Sequence, residues 1–331
     1  MKRALLAYLV CPACQAELVA NLPAPETDGE YMSGELSCTR CQRVYRIVDG
    51  IPRMVVTDQE PDGAATTFGF EWSRHGEKQL EGETVFGRTQ AQDVAYFLAA
   101  LRVTPEQMRD AIVLDAGCGS GQLTEAIGQM QAKAVIGVDV NTAIGFPYRR
   151  CRHLPNVHIV NADLQALPFR PTQFDVVWSN GVIHHSADPR RVFDALSGAV
   201  RPGGRLYVWV YERRWNPFRF TKDALDSIGL RRVPLNVLLW FCKIIAPVSF
   251  MVHSVYRAIR LLPFLRPVSF AGKNTTRYRS VRELELTWFD ALSPKYDFRF
   301  TESEISEWFR AQGFRDLAPY QHRVGVCGVK Q

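Results

Sequence analysis

The chain has 331 residues, 47% of them apolar, and a formal net charge of +6. That length admits one large α/β domain with an appendage, or two domains, with apolar residues enough for a sizeable core. The charge is uneven: residues 201–290 hold 16 Lys or Arg against 6 Asp or Glu, a net of +10, which leaves about −4 for the rest. Such a segment either faces an anionic substrate, nucleic acid or a membrane surface, or is the solvated face of a helical insertion. Eight cysteines in so long a chain do not read as a disulfide framework, and a reducing cytoplasm is the expected setting. "MKRALLAYLVCPAC" is too short in its apolar stretch for a secretory signal.

Residues 1–56 form a first unit, in which "CPAC" and "CTRC" flank a loop rich in Pro, Gly and Asp. "VYRIVDGIPRMV" alternates as a short strand does and ends on a Gly-Ile-Pro turn. Residues 57–110 read as a polar linker and a helical lid: "FGFEWSRHGE" is rich in aromatics, "AQDVAYFLAALRV" has amphipathic helix spacing, and Pro105 opens another short helix. Residues 111–211 then change rhythm. "AIVLDA", "AVIGVDV", "VHIVNAD", "FDVVWSN" and "RLYVWVYE" are short, apolar and β-branched, with helical segments between most of them. This predicts an α/β fold, a doubly wound and mostly parallel sheet with helices on both faces. Residues 212–294 break the pattern and are too long for a loop, so helices capping the sheet are expected. Their apolar stretch is interrupted by Lys243, His253, Arg257 and Arg260 and by Pro247 and Pro263, which favours a buried cap or a helix pair lying on a surface over a membrane crossing. Residues 295–331 resume the core. Thr301 and Glu304 make a capping box, Gly313 is a plausible C-cap, and "RVGVCGVK" reads as a last edge strand.

The chemistry begins at "VLDAGCGSGQ". Glycine lets a backbone approach a ligand and adopt positive φ. Gly117, Gly119 and Gly121 give G-x-G-x-G, one residue short of the dinucleotide spacing, and no Lys-Ser/Thr pair follows as in a P-loop. Asp115, two residues before the first glycine, would repel a pyrophosphate and welcome a cation, directly or through water. Each aspartate alone could be a helix or turn cap; the ordered set points elsewhere. "DAGCGSG" resembles the first motif of the class I S-adenosylmethionine-dependent methyltransferases, type 11-like, and the resemblance extends over about residues 110–211 through "GVDV", "NADLQALPF", "FDVVWSNGVIHH" and "VRPGGRLYVWV". It implies a seven-stranded Rossmann-like sheet and S-adenosyl-L-methionine as cofactor. It also implies cofactor contacts from Asp115, Gly117, Cys118, Gly119, Gly121 and Gln122, from Asp139 and Val140 on the ribose side, from Asp163 and Leu164 at the adenine, and from Asn180 beside the methyl group.

Methyl transfer from a sulfonium needs an aligned acceptor, a dry site and, for a hydroxyl acceptor, a general base. "IHHSADP" offers His184 and His185 at the active edge of the sheet; as neighbours, at most one of them is expected to be catalytic. The Asn/Asp-Pro-Pro-Tyr/Phe motif of many base-amine methyltransferases is replaced by "SNGV". In the cap, "YRSVRELELTWFDALSPKYDFRF" offers Tyr278, Arg279, Trp288, Asp290, Tyr296 and Arg299 as substrate candidates, with an Arg among aromatics suiting an anionic, planar or sugar-like acceptor. Trp72 and Phe86 are candidates for the lid side.

Cys11, Cys14, Cys38 and Cys41 form C-x2-C-x23-C-x2-C, the ligand set of a closed tetrahedral zinc site. Paired redox CxxC motifs, or a site without metal, are the alternatives. A unit of some 56 residues gains from such a staple. Residues 4–56 resemble the zinc-ribbon protein that activates tRNA and protein methyltransferases in trans. That implies a docking role and raises the prospect of a translation-related substrate. The leading expectation is methylation at oxygen or nitrogen of a small or amphiphilic acceptor in a biosynthetic pathway, with peripheral membrane contact admissible. RNA methylation is the competing enzyme reading, and a non-catalytic cofactor-binding adaptor the reading from another class.

Overall fold

The computed structural model describes residues 1–25, 29–56, 66–73, 88–213, 233–260, 280–320 and 324–331. Tyr278, Arg279 and Phe86 lie outside the described residues.

The first unit is a four-stranded antiparallel sheet, β1 (Leu18–Asn21), β2 (Gly34–Cys38), β3 (Val44–Val48) and β4 (Ile51–Pro52), in sequential order. In β3 the predicted alternation is realised: Tyr45 and Ile47 are buried and their neighbours exposed.

The second sheet has seven strands. They are β5 (Ile112–Ala116), β6 (Ala134–Asp139), β7 (Val157–Asn161), β8 (Phe174–Asn180), β9 (Val200–Val210), β10 (Phe314–Pro319) and β11 (Val324–Lys330). Their order is β10-β11-β9-β8-β5-β6-β7. Pairs among β5 to β9 are parallel, whereas β11 runs antiparallel to both β9 and β10. The chain leaves β5 toward β6 and β7, then returns to build β8 and β9 on the other side. A crevice must open above the carboxyl ends of β5 and β8, where the order reverses.

One expectation needs correcting. The closing strand β11 is interior, and the edge belongs to β10. The sequence "FRDLAP" hides β10 because Arg315, Asp316 and Pro319 spoil a strand pattern. Those are the residue types that blunt an exposed edge, and the pairing is irregular between Arg315 and Ala318.

Helices cover the sheet: α1 (Gln90–Leu101), α2 (Pro105–Met108), α3 (Gln122–Gln129), α4 (Gly145–Cys151), α5 (Pro189–Ala199), α6 (Leu235–Arg260), α7 (Val281–Leu292) and α8 (Glu302–Ala311). Capping boxes start α1 at Thr89 and α8 at Thr301, each satisfying two orphan backbone donors. Gly313 follows α8 with φ +74°.

The ribbon does not hang free. Its residues Leu36, Tyr45 and Met54 share one apolar core with Val138 and Val160 of the large sheet and with Phe169, between β7 and β8. Met54 donates its N–H to the Asn161 carbonyl at 2.7 Å, and Val10 donates to Pro168 at 2.9 Å. Lys2 spends its ammonium on the carbonyls of Leu154 and Val157, at 2.7 and 2.8 Å, and Tyr148 donates to Glu30. A shared core makes two structural units one cooperative unit. Calorimetric melting is therefore expected to show a single transition; two separated transitions would mean that residues 1–56 unfold independently.

Candidate cofactor site and metal centre

A cavity of about 240 Å³ lies above the carboxyl ends of β5, β6 and β8. The glycine turn forms its floor. Gly117, Gly119 and Gly121 all adopt positive φ. At Gly117 (φ +85°) a Cβ would sit 2.3 Å from Val182, so no side chain fits between this turn and the turn after β8.

The strand ends supply carboxylates. Asp115 is buried, and its Oδ2 accepts from the Thr124 hydroxyl at 2.6 Å. Burial pushes its pKa up to about 6, against the pull of Thr124 and with help from the charges of Asp139 and Asp93. Asp139 ends β6. Its Oδ2 accepts from the Gly119 N–H and its Oδ1 from the Asn141 N–H, both at 3.0 Å, while burial again raises its pKa. Each carboxylate oxygen can accept twice, so Asp139 is held by the turn and keeps capacity for two further donors. Asn161 braces this turn from β7 by donating to the carbonyls of Asp139 and Asn141, at 2.9 and 3.2 Å. Asp163 accepts from the Gln165 N–H at 2.8 Å.

All the sequence-predicted cofactor residues line this one cavity: Asp115, Gly117, Cys118, Gly119, Gln122, Val140, Asp139, Asp163, Leu164 and Asn180, with Gly121 as the N-cap of α3 just behind. Gln122 turns its amide to Asp93 at 2.9 Å. Burial pushes the Cys118 thiol well up, with the Asp139 and Asp115 charges adding to it, so it is an apolar-like wall rather than a nucleophile. The Asn180 Oδ1 is buried and has no hydrogen-bond partner among the described residues.

The histidines separate. His185 lines the cavity, with its Nδ1 2.9 Å from the Tyr296 carbonyl. His184 is fully buried and lies against Tyr211, ring centres 4.0 Å apart, away from the cavity wall. Of the cap candidates, Trp72 and Asp290 reach the cavity. Trp288 instead donates its Nε1 to Ser249 at 2.9 Å, between α7 and α6, and Tyr296 contributes a backbone carbonyl. Arg299 is paired with Asp297 at 2.9 Å. Sequence reasoning missed Glu71, Phe68 and Asp93, which also line the cavity. Phe68 and Glu71 sit in the "FGFEWSRHGE" stretch, whose helical part, residues 66–73, carries them as well as Trp72. Asp93 lies in the first turn of α1, and nothing in its spacing marked it.

The charge of this wall is one-sided. Glu71, Asp93, Asp115, Asp139, Asp163 and Asp290 line it, and no Lys or Arg is among the described lining residues. Asp93 is paired with Arg88 at 3.1 Å, but carboxylates as buried as Glu71 and Asp115 are costly to ionise without compensation. Such a site fits a cationic ligand and rejects a pyrophosphate. A sulfonium bearing an adenosine, with hydroxyl and amino donors to present, matches this donor-poor, acceptor-rich lining, and the orphaned Asn180 oxygen adds another acceptor for it.

In the ribbon, the Sγ atoms of Cys11, Cys14, Cys38 and Cys41 all lie within 4.8 Å of one another. The Cys11–Cys41 and Cys14–Cys38 separations are 3.6 and 3.4 Å, too long for disulfides. A tetrahedron with Zn–S bonds of about 2.3 Å has edges of about 3.8 Å, so the quartet fits zinc with little adjustment. The N–H groups of Arg40 and Cys41 both point to Cys38 Sγ at 3.4 Å, which stabilises a thiolate there. Metal analysis of protein prepared without chelator is expected to give one zinc per chain, and Cys38→Ser is expected to lower both zinc content and melting temperature.

The raised pKa of Asp115 has a sign that can be tested. A carboxylate whose folded pKa lies above its unfolded value weakens folding as pH rises through that interval, here from about 3.9 to about 6. Asp115→Asn keeps an acceptor for Thr124 and removes the ionisation. The variant is expected to gain roughly 1–3 kcal/mol over the parent above pH 6, with the gain vanishing toward pH 4; denaturant melts across this range read it directly.

Comparison with known proteins agrees with this architecture. Residues 114–208 match the family model described as a methyltransferase domain, and residues 2–50 match that of Trm112p-like proteins. A tRNA U34 carboxymethyltransferase of Pseudoalteromonas atlantica is 32% identical over 113 residues, 32% of this chain and 34% of the relative. A mitochondrial ubiquinone biosynthesis O-methyltransferase of Dictyostelium discoideum is 32% identical over 140 residues, 39% of this chain and 43% of the relative. The chain thus spans about a third to two fifths of the length of these curated relatives. Among solved structures, a complex between the Haloferax volcanii Trm112 methyltransferase activator and its methyltransferase is similar at TM-score 0.43 and 16% identity, covering 79% of this chain and 96% of that one. The chain joins a Trm112p-like zinc ribbon, residues 2–50, to a domain of the class I S-adenosylmethionine-dependent methyltransferases, whose matched part is residues 114–208.

Proposed function

We propose that this protein transfers the methyl group of S-adenosylmethionine to an oxygen or nitrogen of an amphiphilic acceptor presented at a lipid surface. The observation that carries the first half is the all-acidic cavity wall over a glycine turn. In this reading Asp139 receives the ribose hydroxyls, Asp163 and Leu164 flank the adenine, and Asp115 with Asn180 faces the charged end. His185, Trp72 and Asp290 belong to the acceptor side, and the segment 66–73 excludes water.

The acceptor does not follow from the relatives, because their printed names disagree. Six of eight similar curated relatives are named tRNA U34 carboxymethyltransferases, which favours RNA, and one is named a ubiquinone biosynthesis O-methyltransferase; the chain covers less than half of each. What supports the amphiphilic acceptor is α6. Leu238, Leu239 and Cys242 bury one side of this helix against Phe289 and Leu292 of α7. On its outer side Val237, Trp240, Ile244, Val248, Met251 and Val255 recur every three or four residues and are exposed, Trp240 to 68% and Ile244 to 67%. Lys243 lies over the Trp240 ring at 5.5 Å. An apolar stripe of this length is uncommon on a soluble monomer. A helix with an apolar face in a segment that is basic in sequence suits the interface of an anionic bilayer, and residues 201–290 carry a net charge of +10. The stretch Leu235–Val252 is long and apolar enough to cross a membrane, with mean hydropathy 1.9, but its other face is occupied by α7.

RNA is the second reading, favoured by the Trm112p-like unit and by the tRNA enzymes among the relatives. An RNA-facing surface would be polar and its affinity would fall steeply with salt.

Two measurements test these readings. By calorimetry the protein is expected to bind S-adenosylmethionine, with Asp139→Ala weakening it about 10–100-fold, and to ignore a nicotinamide dinucleotide. In flotation, vesicles of phosphatidylcholine and phosphatidylglycerol are expected to carry the protein up, and Trp240→Asp with Ile244→Asp to leave it behind. No flotation together with salt-sensitive tRNA binding would replace the lipid reading by the RNA one.

A further inference from the structure

The acceptor end of the cavity holds a group that the cofactor reading leaves unused. Glu71 is fully buried, lines the cavity, and has no hydrogen-bond partner among the described residues at either carboxylate oxygen. An unpaired buried carboxylate is expensive, and a cavity-facing one marks a place where a proton or a donor is expected.

Its surroundings are specific. Phe68 and Trp72, on the same helical turn, line the cavity beside it, and Phe68 stacks obliquely on His185 with ring centres 5.2 Å apart. Phe70 points the other way and packs on Phe289 of α7 at 5.6 Å. From α7, Asp290 also lines the cavity, and it accepts from the Tyr211 hydroxyl at 3.2 Å. The titratable groups whose charge acts with or on Glu71 are Asp290 from α7, Tyr211 beyond β9 and Cys242 from α6. Each is neutral when protonated and anionic when ionised, and no Lys or Arg is among these described groups. Burial, and then the Asp290 charge, hold the Glu71 carboxyl well above the usual carboxylate range. Two carboxyls in one dry chamber keep one proton between them, because both cannot ionise cheaply.

We propose that Glu71 and Asp290, oriented by Tyr211, are the proton-accepting pair of the acceptor chamber, and that this chamber takes a neutral, proton-bearing nucleophile or its ammonium form, not an anionic group. The proposal rests on the cofactor reading above. The bound sulfonium supplies a methyl carbon whose bond to sulfur breaks, the pair going to sulfur as a thioether, while the acceptor's lone pair forms the new bond to carbon. The proton that a neutral acceptor then carries passes to the ionised member of the pair; an ammonium gives that member a proton first, which frees its lone pair, and leaves as the methylated ammonium. Tyr211 fixes the Asp290 oxygen through its hydroxyl, which makes it a positioning residue. The expectation of an anionic acceptor, drawn from an Arg among aromatics, finds no support in this wall.

The test uses the full chain saturated with S-adenosylhomocysteine. Infrared spectra at pH 7 are expected to show a protonated buried carboxyl that is lost in Glu71→Gln and titrates at lower pH in Asp290→Asn, where the like charge is gone. Benzylamine and phenol serve as acceptor probes, with benzoate as the anionic control, followed by nuclear magnetic resonance. The first two are expected to bind at least about tenfold more tightly than benzoate, a difference of some 1.4 kcal/mol, and Glu71→Gln is expected to abolish the preference. A spectrum unchanged in Glu71→Gln, equal or stronger benzoate binding, or no binding of either probe would overturn the proposal. Failure of the unaltered protein to bind S-adenosylhomocysteine would instead overturn the cofactor reading. Should Glu71→Gln fail to fold, the downward shift in Asp290→Asn carries the decision, and its absence rejects the pair.

Discussion

Like charges confined to a dry crevice set the terms for everything else in this protein. Asp115, Asp139 and Asp163 stand at the ends of three neighbouring parallel strands, and Glu71, Asp93 and Asp290 are brought over them by helices. Water solvates such groups poorly there, so burial raises the pKa of Asp115, Asp139 and Glu71. The fold offsets part of this cost with backbone N–H groups of the glycine turn and with the Thr124 hydroxyl. A cationic ligand offsets the rest, which is why affinity for a sulfonium and tolerance of buried acid are two sides of one arrangement.

The division of labour between sheet and cap follows. Strand ends are rigid and present the same side chains in any sequence that keeps the turn glycines and the acids. The cap side of the cavity is assembled differently, from the segment 66–73 and from α7, with Tyr211, just past β9, bonded to Asp290. These elements are joined by Phe70 on Phe289 and by Tyr211 on Asp290. They are also continuous with α6 and its outward apolar stripe, so the surface that would meet an amphiphile and the chamber that would receive its reactive group are two layers of one cap.

The sheet and the cofactor residues were legible because their signals are local. A β-branched run ending in Asp and followed by glycines fixes both the strand and the position of the acid, and four cysteines in two tight pairs fix their own neighbourhood. Other features were not local. Asp93 and Glu71 look like surface acids in their own helices and become cavity walls only through tertiary contact. His184 and His185 are adjacent in sequence, and only the turn after β8 separates a cavity-facing ring from one buried on Tyr211. The edge strand β10 was hidden because a chain that must protect an edge carries the residues that disguise a strand.

The joint between ribbon and sheet decides how the two units stay together. A separate subunit must be made in matching amounts and found by diffusion, and it can be lost or exchanged. Here Met54, Val10 and Lys2 hold the ribbon on the β7 side through bonds within one polypeptide, so its local concentration is set by tethering and not by expression level. Dilution cannot strip it from the large sheet.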